Sequence, residues 1–176
     1  MNRTAKLIVI PSAFLLLSLV SCKPRKAIEF KETIVQKERI ATEILIGKNG
    51  SETKKLECLV KEDYKGALAA INQQEKEFNE IIKAIEALPA GDIKQGNELK
   101  TASVNYYIAL KELHMFDRLD VENRQDLYKL KGKELDAAQD KTLELSYKKQ
   151  DMFDKVFKAD SVLRQTLDKF TAANNI

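Results

Sequence analysis

The stretch Ala67-Leu68-Ala69-Ala70-Ile71-Asn72-Gln73-Gln74-Glu75-Lys76-Glu77-Phe78-Asn79-Glu80-Ile81-Ile82-Lys83-Ala84-Ile85-Glu86-Ala87-Leu88 decides the fold. Ala67, Ile71, Phe78, Ile82 and Ile85 recur at helical spacing, and Leu68, Ile81 and Leu88 widen the stripe. Extended backwards, the stripe takes in Leu56, Leu59, Val60 and Tyr64. The spacing therefore predicts one amphipathic helix over residues 52–88, about 55 Å long at 1.5 Å per residue. Pro89-Ala90-Gly91 stops it, and Asp92 is placed to cap the next helix.

Upstream, Phe30, Ile34, Ala41, Ile44 and Leu45 give residues 27–46 the same periodicity. Gly47-Lys48-Asn49-Gly50-Ser51 breaks it, with Ser51 as candidate N-cap for the helix beyond. Downstream, Leu99, Ser103, Tyr106, Leu110 and Leu113 mark a third helix. The polar run Asp117-Arg118-Leu119-Asp120-Val121-Glu122-Asn123-Arg124 supplies little for a core, so a turn is expected there. The alternative turn lies at Lys131-Gly132-Lys133, which no N-cap residue follows. The last and longest pattern runs from Leu127 through Leu145, Met152, Val156 and Leu163 to Phe170. Glu144/Lys148, Asp151/Lys155 and Asp154/Lys158 set an acid four residues before a base, which supports a solvated helix face. No alternation of period two survives. The reading is all-α: an up-down antiparallel bundle of three to four long helices with coiled-coil-like packing.

Ahead of this domain stands a different kind of sequence. Arg3 and Lys6 form a short positive region, and an apolar run follows through Leu17. Leu19-Val20-Ser21-Cys22 closes the run and resembles the bacterial lipobox. The resemblance implies cleavage before Cys22 and a lipid on its sulfur. The expected layout is a lipoprotein signal peptide over 1–21, a lipidated Cys22 with a short tether over 22–26, and the helical bundle over 27–176. Pro11 and the shortness of the run argue against a membrane span, which needs about 20 apolar residues. Two or more acyl chains on one site give stable anchoring. Lys23 stands after the cut where inner-membrane retention signals carry an acid, so the expected address is an outer membrane, facing the periplasm.

Removing Arg3 and Lys6 from the 30 basic residues leaves 28 against 27 acidic. That balance, with no basic stripe interleaved by aromatics, argues against a nucleic-acid partner. His114 is the only histidine. It sits one turn from Asp117, but Lys111 stands where a Glu-x-x-His metal motif needs Glu, so no metal or cofactor is expected. No Gly-rich phosphate loop and no nucleophile–base set appears, so no catalytic residue is named and no enzyme is expected. The aromatics Tyr64, Tyr106, Tyr107, Phe116, Phe153 and Phe157 read as core.

Asp92-Ile93-Lys94-Gln95-Gly96-Asn97-Glu98-Leu99, ahead of a Tyr-bearing helix, is similar to a segment of the YiiG-like group of helical bacterial lipoproteins. The resemblance implies a helical lipoprotein and no mechanism. The function expected is a membrane-anchored, non-enzymatic interaction module that meets a protein or envelope component. The alternative is a periplasmic binding protein for a small hydrophobic ligand between its helices. With Cys22 lipidated, Cys58 has no partner in its own chain. At about 100° per residue it falls nearly opposite the Leu56–Leu59–Val60 stripe. That expectation exposes it and permits a Cys58–Cys58 homodimer.

Overall fold

The computed structural model describes residues 24–127 and 129–176. The lipobox, Cys22 and the signal segment lie outside the described residues. Helices α1 (Arg25–Ile46), α2 (Ser51–Val60), α3 (Tyr64–Glu86), α4 (Gly96–Leu127) and α5 (Lys133–Asn174) follow one another with short connections. Among the described residues there is no strand, and no helix is long and apolar enough to cross a membrane.

The five helices make four rods. α1 and α2 run end to end as a broken first rod: Phe30 packs with Leu99 and Phe170, Ile44 with Phe78 and Tyr107, and Lys55 reaches Asp117 further along. α3 returns antiparallel to α4, since Lys111 meets Asn79 while Arg118 meets Asn72. α5 returns along α4 in turn, since Asp117 meets Lys149 while Asn123 meets Thr142. The result is an all-α up-down bundle. Along α5 the residues of reduced exposure include 135, 138, 142, 145, 149, 152, 156, 159 and 163. Their steps alternate three and four, the seam spacing of a left-handed coiled coil.

Several expectations need correction. The helix expected over 52–88 is two helices. α2 ends in a Schellman turn: Asp63 N–H donates to the Cys58 carbonyl, Glu62 N–H to the Leu59 carbonyl, and Glu62 takes the left-handed conformation at φ 56°. Asp63 then caps α3 by accepting from Gly66 N–H at 2.8 Å. A glutamate at the left-handed position hides this stop from a search for glycine. The turn expected over 117–124 is also absent, because α4 runs on to Leu127. Its polar residues are spent on partners: Asp117 on Lys55 and Lys149, Asn123 on Thr142 at 2.8 Å, Arg124 on Asp120 at 3.0 Å. The chain turns at Gly132 instead, whose φ of 54° favours glycine. Gly132 is itself the N-cap of α5, with Glu134 and Asp136 in the first turn to face the helix dipole.

Neither expected cap residue acts as one. Gly50 is the N-cap of α2, where a β-carbon would run into the carbonyl oxygens of Glu43 and Ile44. Ser51 turns inward and donates to Glu77 Oε2 at 2.7 Å. Asp92 lies in the turns before α4, which begins only at Gly96. At the amino end Pro24 is extended, but Arg25 and Lys26, expected in the stretch ahead of the first helix, are already helical.

Candidate functional site: a buried polar layer beneath an exposed apolar helix face

The core is layered along the bundle axis. At the amino-terminal end Ala27, Phe30, Ile34, Ala90, Leu99 and Phe170 pack together. The middle is filled around Phe78, Ile81, Ile82, Ile85, Tyr107 and Leu110. The His114 ring lies stacked on Phe78, with centroids 6.0 Å apart, at the edge of this layer.

Beyond it sits a charged layer. Lys55, only 3% exposed, pairs with Glu52 Oε1 at 2.8 Å and with Asp117 of α4. Lys149, from the seam of α5, takes the other oxygen of Asp117. His114 Nδ1 stands 3.2 Å from Glu52 Oε2, to which Gln74 Nε2 also donates at 3.0 Å. Gln74 Oε1 is buried without a partner among the described residues. Burial alone would raise the Glu52 carboxyl. The hydrogen bonds from His114, Lys55 and Gln74, with the Lys55 charge, outweigh it and hold Glu52 at about 2. A small apolar layer of Ala67, Ile71 and Val121 closes the far end, with Cys58 and Leu59 packed against it.

Because α2 turns Ser51 and Lys55 inward, Leu56 and Val60 face out, while Cys58 and Leu59 stay half-buried. Leu56 is 51% exposed and Val60 85%. Both were expected to begin the buried stripe. The reason is periodicity across the break: the stop at 61–63 rotates α2 relative to α3, so the stripe of α3 does not extend back through it. Cys58 shifts with them. It was expected on the open side but is half-buried, with Sγ beside Gly66. Two furrows flank the outward face. One of about 380 Å³ runs between Leu56, Val60, Asp120, Arg124 and Lys149. The other, about 520 Å³, runs between Val60, Tyr64, Leu127, Leu135 and Thr142. Of the expected core aromatics, Tyr107 is buried and Tyr106 and Phe116 are half-buried, but Phe153 and Phe157 are exposed. α5 packs against the bundle on one side only, so its remaining faces meet solvent.

The sequence paired His114 with Asp117. The structure adds Glu52, and the ligand atoms of the three lie within 4.8 Å of one another. That spacing suits a cation, and the Lys55 ammonium already occupies the role, bonded to both carboxylates. Glu52 and Lys55 carry no sequence signal of their own. The one signal for them is a lysine at the inward position of α2, and the stripe of α3 extended backwards does not mark that position. No known protein family, curated protein or solved structure matches the chain.

Proposed function

We propose that this protein is a membrane-anchored lipoprotein of the bacterial cell envelope that acts as a non-enzymatic helical interaction module. Lipid on Cys22 holds it, and its contact face for a polypeptide partner is the outward side of α2. The observation that carries the reading is the inversion of α2, with Leu56 and Val60 outside and Lys55 inside. Apolar residues turned outward by the ion pairs of Lys55 offer a surface to another protein, rimmed by Asp120, Arg124 and Lys149. That face lies at the end of the bundle opposite the described amino terminus, about 50 Å along α5. An anchor at Cys22 would leave it clear of the attachment point.

The experiment is an affinity capture from envelope extracts with the full-length chain, set against Leu56→Asp/Val60→Asp. One dominant protein partner that the double variant loses supports the reading. Equal capture by both chains overturns the assignment of α2. Cys22→Ala tests the anchor separately: acyl-chain incorporation at wild-type level in that variant overturns it. A second reading, a site for a small hydrophobic ligand, is favoured by a 440 Å³ furrow at the other end, lined by Phe30, Leu88, Pro89 and Ile93. Native mass spectrometry of the protein from its own host, with a reproducible co-purifying small molecule, would select it.

A further inference from the structure

Helix α5 carries a second stripe on the side away from α4. Leu143, Tyr147, Gln150, Asp154 and Phe157 follow the same alternating steps of four and three as the buried seam. Leu143 is 55% exposed, Tyr147 68% and Phe157 67%, and Phe153 stands beside them. A solvated helix face has no need of three large apolar side chains in coiled-coil register.

We propose that this outer stripe pairs with the same stripe of a second copy of the chain, the two α5 helices running antiparallel about a two-fold axis at the level of Met152. The charges choose both the partner and the direction. A parallel pair would set Asp154 against Asp154 in its interior. The antiparallel pair sets the Gln150 amide against the Asp154 carboxylate, and Tyr147 against Phe157, twice each by symmetry. On one flank Glu144 faces Lys158 of the second copy at both ends of the contact. On the other flank Phe153 meets its own copy near the axis. On the flank of Glu144, Asp151 also meets its own copy, a repulsion offset by Lys148 and Lys155 a turn to either side. The pairing does not depend on the anchor. If Cys22 is lipidated as proposed above, the two amino termini lie at opposite ends of the pair, and the bundles lie along the bilayer.

The test is disulfide cross-linking of the full-length chain in bacterial cells, in a Cys58→Ser background, read by non-reducing electrophoresis. Phe153→Cys should form at least tenfold more dimer than Leu143→Cys. Copies carrying Tyr147→Cys should cross-link to copies carrying Phe157→Cys. Strong self-cross-linking of Leu143→Cys would mean a parallel pair and overturn the proposal, as would no cross-link at any position. Adding Tyr147→Glu and Phe157→Glu should cut the Phe153→Cys dimer at least tenfold, while the purified full-length chain keeps its helical circular dichroism. An undiminished dimer in that variant would also overturn the proposal.

Discussion

Around Phe78 the first rod offers Ala41 and Ile44 to the helices behind it. Two turns further on, past Gly47–Gly50, the same rod offers Ser51, Glu52 and Lys55. Both faces are buried. The first is held by apolar area, which stabilises by about 25 cal/mol per Å² and has no preferred direction. The second is held by charges whose desolvation is costly and whose attraction depends on geometry. Layers of the first kind make the bundle stable. The layer of the second kind fixes how α2 is rotated, because only one orientation brings Lys55 between Glu52 and Asp117.

Phe78→Ala removes a fully buried ring and should cost about 3–5 kcal/mol in denaturant unfolding, equally at pH 7 and pH 5. A loss below about 1 kcal/mol would mean that the middle layer is not the main source of stability. The polar side should break somewhat more gently. Lys55→Ala strands the Asp117 and Glu52 charges and should cost about 3 kcal/mol. Replacing Lys55 with Met together with Glu52→Gln and Asp117→Asn should recover most of that loss. A triple variant as unstable as Lys55→Ala would show that packing of the lysine stem, not its charge, is what matters.

Acid separates the two kinds of layer without any mutation. The folded carboxyl of Glu52 titrates at about 2, below its ordinary 4.5, so its contribution is fully present above pH 4.5 and is lost as pH falls through about 2. Discounted for partial exposure, that contribution is roughly 2 kcal/mol. Glu52→Gln should flatten this part of the stability profile, whereas Phe78→Ala should leave its shape intact. An unchanged acid limb in Glu52→Gln would assign it to other carboxylates. The smallest effect belongs to the outer face of α2. Leu56→Asp should change stability by less than about 0.5 kcal/mol, the usual range for a surface site. A loss of 2 kcal/mol or more by thermal unfolding would place Leu56 in the core after all.

The apolar half of the bundle was legible because its stripe is periodic and long. Phe30, Ile34, Ile71, Phe78, Ile82 and Leu99 all lie where their spacing put them. The polar half was not, for two physical reasons. Charged residues carry no periodic signal that distinguishes a buried, paired side from a wet one, so Asp117 and its neighbours read as a turn. Helix stops made without glycine or proline are silent too, and Glu62 in the left-handed region is one of these. Without that stop the stripe of α3 runs on through α2, which puts Leu56, Val60 and Cys58 on the wrong sides together. His114 and Asp117 stand one helical turn apart and are legible as a pair, but their partner Glu52 lies 62 residues before His114 in the chain, beyond the reach of local spacing.

The interruptions on either side of α2 have a consequence for how the molecule opens. A helix of ten residues, bounded by Gly47–Gly50 and by the turn at Lys61–Asp63, can separate from the bundle without unwinding α1 or α3. Its peptide hydrogens should therefore exchange with solvent deuterium through a partial opening of lower free energy than global unfolding, while those of α3 around Phe78 wait for the whole chain. Acid that protonates Glu52 should quicken the opening-limited exchange of α2 and leave α3 little changed. The bundle then behaves as two cooperative units of unequal lifetime, the shorter-lived one carrying Leu56 and Val60.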